Sequence, residues 1–216
     1  MSQIKSKERI IKHGEVFTSE REVVAMLDLV KDETERIDSR FLEPACGNGN
    51  FLAEVLRRKL AVVSNRYKKS QIEYERNAFI AIGSIYGLDI QNDNIIECRK
   101  RLSTIFEFEY RSLFQKTYKE KMLSSVQYVL EKNILCGDAL DFTHPISKEA
   151  VVFSEWSMVH GNFIKRSEYS FMSLVNKPHQ YSLSGDEGQQ ANIHEPLKEF
   201  PVQHFLEIED QEEEKL

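Results

Sequence analysis

Between residues 20 and 156 the apolar positions switch repeatedly between a helical period and short unbroken runs. In "FTSEREVVAMLDLV" Ser19 and Glu22 have the spacing of a capping box, and Val23, Met26, Leu27 and Val30 fall on one face, which predicts a helix over 20–31. The polar stretch "KDETERIDS" ends it, and "RFLE" reads as a short buried strand stopped by Pro44. Phe51 with Val55, and Leu52 with Leu56, predict a helix over 50–60. A helical stretch ending near Ile82 leads into a second strand, "YGLDI". The helix after it carries Ile95, Leu102 and Phe106 on one side, and a further helix over 113–131 runs into "NILCGDAL". "AVVFSEW" is a fourth strand. Strands alternating with helices in this order predict an α/β fold, a parallel sheet covered by helices.

The pattern changes after Ser157. Nothing there supplies three more apolar strands in βα order, so the sheet is expected to stop early. "FIKRSEYSFMSLV" carries enough apolar residues for a hairpin or helix covering an edge. Beyond it, "SLSGDEGQQANIHEPLKEFP" mixes Gly, Ser, Gln, Asp and Pro without a period, and "EIEDQEEEKL" is charged and free of aromatics. We therefore divide the chain into a body, 1–175, and a polar acidic tail, 176–216, expected to be largely irregular or disordered, the more so past about residue 206. Charge follows the same division. The tail holds ten acids and three bases, net -7 against -6 for the whole chain, so the body sums to +1.

Composition narrows the setting. No apolar stretch approaches the roughly 18 residues of a membrane span, and the start "MSQIKSKERI" lacks the apolar core of a signal peptide, so the expected location is the cytoplasm, away from membranes. Cys46, Cys98 and Cys136 stand singly with no CxxC pair, and the six histidines are scattered, so neither a disulfide framework nor a metal site is expected.

Ligands of parallel α/β sheets bind outside the carboxyl ends of the strands. The windows to inspect are 43–50, 89–90, 137–140 and 155–157. In the first, Gly47 and Gly49 flank a tight turn into a helix, where missing side chains let a ligand approach backbone amides and the positive end of the helix dipole. Asp89 ends the second strand, where a carboxylate accepts from ribose hydroxyls, and Asp138 ends the third, where it accepts from an exocyclic amine. Together these describe a nucleoside whose 5′ substituent lies over the glycine turn. A dinucleotide fits less well. Its GxGxxG or GxGxxA fingerprint would put a small residue where Leu52 stands, and an acid about 20 residues further on ends no strand here. A GxG alone is also compatible with an ordinary strand-to-helix turn.

These residues carry a family resemblance. "FLEPACGNGNFL" resembles the cofactor motif of the amino-type DNA methyltransferases, above all the adenine-N6 enzymes of restriction-modification systems, and "GEVFTSEREVVAMLDLV" is similar to the family's N-terminal element, whose usual Phe-Thr-Pro stands here as Phe17, Thr18 and Ser19. "IYGLDI" and "ILCGDAL" resemble the second and third cofactor motifs, and their order resembles the gamma arrangement that includes type I modification subunits and fused restriction-methylation enzymes. The resemblance covers about residues 12 to 156 and implies a Rossmann-like methyltransferase fold, incomplete, preceded by an N-terminal helix. It implies S-adenosylmethionine as cofactor. Phe17 and Thr18 are then near its methionine part, Glu43, Gly47 and Gly49 around it, Asp89 on the ribose and Asp138 on the adenine.

The catalytic signature of that family, Asn or Asp followed by Pro-Pro and an aromatic, belongs after the fourth strand. "VVFSEWSMV" stands there, without proline. Glu155 can accept a hydrogen bond and Trp156 can stack, so these two are the candidates for the catalytic position, although Trp156 reads first as the apolar end of a buried strand. A target-recognition domain is absent from the pattern. The basic clusters Arg57, Arg58, Lys59 and Arg99, Lys100, Arg101 are expected as solvated helix faces rather than phosphate contacts. The resemblance therefore implies the cofactor-binding part of a DNA adenine methyltransferase that meets DNA through a partner, a companion methyltransferase or specificity chain. The alternative is a degenerate, non-catalytic scaffold or regulatory module.

Overall fold

The computed structural model describes residues 18–175 and 195–208. Helix α1, Glu20–Asp28, starts at Ser19, whose hydroxyl accepts the Glu22 N–H at 3.4 Å while the Glu22 carboxylate accepts the Ser19 N–H at 3.1 Å. Its buried stripe is narrower than the sequence suggests. Val23 and Leu27, four residues apart, are buried, but Met26 is 54% exposed, and the chain turns at 29–30 into a one-turn helix α2, Lys31–Thr34.

Strand β1, Phe41–Glu43, leads into α3, Asn50–Tyr67, and α4, Gln71–Gly83, which together return the chain to β2, Ile85–Asp89. Helices α5, Asn92–Phe114, and α6, Glu120–Asn133, make the second crossover to β3, Ile134–Cys136. The sheet is parallel in the order β1-β2-β3, with Leu42 beside Tyr86 and Leu88 beside Leu135. A two-helix crossover explains the long polar-apolar interval between strands. Leu52, Leu56 and Leu60 of α3, Phe79 and Ile82 of α4, Leu102 and Phe106 of α5, and Val126 and Val129 of α6 form the main core against Ile85 and Ile134. Leu52 fits there because Gly87 stands opposite on β2, where a Cβ would lie 2.8 Å from the leucine Cδ1.

The run 150–156 does not extend this sheet as expected. Strand β4, Val152–His160, turns through Gly161 and Asn162 directly into β5, Phe163–Ser170, with which it pairs antiparallel. A two-residue turn cannot carry the crossover that a parallel neighbour needs, and Gly161 takes the positive φ (54°) the turn requires. One side of the hairpin covers the face of β2 opposite the main core, while Trp156, Met158 and Ile164 join that core beside α4 and α6. Val151, Phe153 and Phe171 pack on Tyr86 and Leu88, and the short helix α7, Phe171–Val175, closes that side.

The tail also departs from expectation. Strand β6, Lys198–Glu199, pairs with β5 at Ser167 and Glu168, and β7, Gln203–His204, pairs with β5 at Phe163 and Ile164. Phe205 and Ile208 are fully buried, Phe205 against Phe79. Residue 175 is therefore no limit of packing, because a few apolar residues in a charged stretch are enough to dock it. The intervals 176–194 and 209–216 lie outside the described residues.

Candidate functional site

The carboxyl ends of β1, β2 and β3 open on one cleft of about 560 Å³, within the range of small-molecule sites. The turn after β1 forms one wall. Cys46 N–H donates to the Leu88 carbonyl at 2.7 Å, which pins the turn to β2, and Gly49 N–H donates back to the Cys46 carbonyl at 2.8 Å. Gly47 and Gly49 both have positive φ, 51° and 85°. At Gly49 the restriction is doubled, since a Cβ would lie 2.6 Å from the Cys98 Sγ of α5. Gly49 is also the N-cap of α3, so no side chain satisfies the first amides of that helix, which keep their positive end toward the turn.

Asp89 holds this wall in place. Its Oδ2 accepts the Gly47 N–H at 2.9 Å, and its Oδ1 accepts the Gln91 N–H at 2.8 Å and the Asn94 amide at 3.3 Å. A carboxylate offers about four acceptor positions, so three are used. One further donor can be accepted, and a second requires the longer Asn94 bond to give way. Asp138 is less engaged. Its Oδ1 accepts the Leu140 N–H at 2.8 Å in an Asx turn, and Oδ2 has no partner among the described residues. Glu43 ends β1 in a half-buried position. Burial raises its carboxyl above the ordinary range, opposed by a hydrogen bond from the Ala45 N–H.

Of the residues singled out in the sequence, Thr18, Glu43, Gly47, Asp89 and Asp138 line the cleft together. Gly49 stands behind the turn, and Phe17 lies outside the described residues. The cleft adds residues not singled out individually: Asn50 and Phe51 at the start of α3, Ile90 and Gln91 after β2, and the 90% exposed Leu140 at the mouth. Most fall in the windows after the strands; their roles depend on neighbours that spacing does not reveal.

The two catalytic candidates are not part of this cleft. Successive residues of a strand face opposite ways. Trp156 points to the helices, edge-on to Phe79 and Tyr128, with its Nε1–H donating to Asn133 at 3.4 Å. Glu155 points to the other side, accepts from Arg40 at 2.6 Å, and lines a separate groove of about 170 Å³ with Leu42, Tyr86 and Phe153. The two side chains therefore do not face a common space.

Part of each basic cluster is taken up internally. Lys59 is fully buried, donating to the Ile37 carbonyl at 3.0 Å and the Ser84 hydroxyl at 2.7 Å. Arg58 is bound to Glu54 and Asp28, and Arg99 to the carbonyls of Ile134 and Glu131. These side chains are structural, not the solvated faces the sequence suggested, whereas Arg57 and Lys100 are exposed as expected. Among the described residues no helix is long and apolar enough to cross a membrane, and no cluster of three or more His, Cys, Asp or Glu is arranged to hold a metal.

Comparison with protein-family models, curated proteins and solved structures gives no match.

Proposed function

We propose that the chain binds S-adenosylmethionine and is the cofactor-binding part of a DNA adenine-N6 methyltransferase of a restriction-modification or related defence system, with catalysis and DNA recognition completed by a partner chain. One observation carries the reading: the cleft outside three parallel strands is walled by a glycine turn and lined by Glu43, Asp89 and Asp138, with no lysine or arginine among the described residues of its lining. Three carboxylates repel a pyrophosphate and favour a ligand rich in donors and positive charge. S-adenosylmethionine has two hydroxyls, an exocyclic amine, an ammonium and a sulfonium.

The residues fit the group. Asp138, with Oδ2 open, would accept from the adenine amine, and Asp89 from a ribose hydroxyl. The amides at the start of α3 would face the methionine carboxylate, beside Glu43 and Thr18. The bound cofactor supplies an electrophilic methyl carbon. Transfer to an adenine nitrogen also needs acceptors for its hydrogens held about 3 to 3.5 Å from the reacting atoms, and those acceptors are assigned here to the partner. The engagement of Glu155 with Arg40 favours a second reading, a module that binds the cofactor without a methyl-transfer role.

Calorimetry tests the binding. S-adenosylmethionine or its demethylated product should bind, and Asp89→Ala should weaken binding by roughly 1.5–3 kcal/mol through loss of a charge-assisted hydrogen bond. No heat from either ligand at millimolar concentration would sink the proposal. With tritiated cofactor, the chain alone should leave adenine-containing DNA unlabelled. Labelling restored by the product of a neighbouring gene supports the split enzyme; continued absence of label supports the binding module.

A further inference from the structure

We infer that Asn50 is a positioning residue, which fixes the chain ahead of α1 at the lip of the cleft and thereby sets how tightly the 5′ substituent of a bound nucleoside is held. The inference rests on the cofactor reading above. Asn50 is the first residue of α3, and its Nδ2–H donates to the Thr18 carbonyl at 2.9 Å. Its Oδ1 accepts from the Arg101 guanidinium of α5. One amide thus joins three segments far apart in sequence: the residue before the Ser19 cap, the turn after β1, and the middle of α5. Thr18 and Asn50 both line the cleft.

The strand order decides which part of a ligand this tether reaches. Since the sheet runs β1-β2-β3, Glu43 and Asp89 end the first two strands and Asp138 stands two residues past the third. Asn50, with Thr18 bonded to it, follows the β1 end, whereas Asp138 lies past β3 on the other side of β2. A nucleoside with its base at Asp138 and its ribose at Asp89 extends its 5′ arm toward Asn50 and Thr18.

The chemistry of the amide is specific. Arg101 requires an acceptor and the Thr18 carbonyl requires a donor, so the amide has one favoured orientation and its role cannot pass to a carboxylate. Asn50→Asp keeps the size and the acceptor for Arg101, and places an acid at the first position of a helix, where the dipole favours it. It nevertheless turns an oxygen toward the Thr18 carbonyl. This variant breaks the tether without threatening the fold, and Asn50→Ala breaks both bonds.

The test has two arms. In the ligand-free chain, amide hydrogen exchange over 18–27 should quicken in both variants while exchange in β2 stays as in the wild type; unchanged exchange over 18–27 would overturn the inference. In calorimetry, the affinity for S-adenosylmethionine relative to adenosine, which lacks the amino-acid arm, should fall about fivefold in Asn50→Asp, the worth of about one hydrogen bond. An unchanged ratio would overturn the role in holding the 5′ substituent. A wild-type chain that binds neither ligand overturns the cofactor reading, while the exchange arm still decides whether Asn50 holds Thr18.

Discussion

At the ends of β1, β2 and β3, Glu43 and Asp138 border open space with little to bind them, whereas on the β4–β5 hairpin the polar side chains bind one another. Arg166 of β5 is buried and donates to the Ser154 hydroxyl at 3.0 Å, to Tyr128 at 2.6 Å and to Glu168 at 2.5 Å. The first region spends its polar groups on a cleft and the second on closing itself. The difference teaches that sites lie where polar groups near strand ends remain under-used. Buried polar groups that are satisfied, as at Arg166, specify packing instead.

The largest effect is expected in the closing region. Phe205 sits fully buried against Phe79 and beside His204, although it belongs to a stretch whose composition suggests disorder. Truncating a fully buried phenylalanine removes its transfer free energy and leaves a cavity, so Phe205→Ala should cost about 3–5 kcal/mol. Urea unfolding of the full chain measures this. A cost below about 1 kcal/mol would mean that 195–208 is an appendage and that the body ends near 175 after all.

What was legible in the sequence divides along the same line. The helices and three parallel strands follow from local period, and the cleft residues follow because strand ends in such a sheet must converge. By its apolar run alone β4 reads as a fourth buried parallel strand. Its direction is set by the Gly161–Asn162 turn, which the run does not contain. Phe205 and Ile208 were lost in an average over charged neighbours. The fates of Lys59 and Arg58 were illegible for another reason: burial of a long cation depends on which carbonyls the fold brings within reach.

Two buried cations give the next comparison. Arg166 has a carboxylate and two hydroxyls, whereas Lys59 has neutral acceptors, the carbonyls of Ile37 and Ser39 and the hydroxyl of Ser84. Desolvation lowers the Lys59 pKa to about 7, only partly opposed by the charge of Asp38. In the unfolded chain a lysine keeps its proton to about 10.4. Between these values the unfolded state binds more protons, so stability contributed by this site rises with pH from about 7 toward 10, and below 7 the full cost of a buried charge remains. The limiting slope is about 1.4 kcal/mol per pH unit. Lys59→Met should remove that component, read as the difference between wild-type and variant urea curves from pH 6 to 10. Parallel curves would mean that the ammonium stays charged throughout.

The smallest effect is expected at Glu155, and it decides to which region that residue belongs. Its partner Arg40 is more than half exposed, and the pair spans the lip of the groove beside β1. Ion pairs in such positions contribute about 0–1 kcal/mol, because water already screens the charges and two long side chains must be ordered. Glu155→Gln should therefore shift stability by less than about 1 kcal/mol. It should leave the affinity for S-adenosylmethionine unchanged, since Glu155 lines the groove and not the cleft. A stability loss within this limit together with a tenfold loss of cofactor affinity would show that the hairpin moves toward the cleft when the ligand binds. The division between a binding half and a closing half would then fail, and Glu155 would return as a candidate for contact with the methyl acceptor.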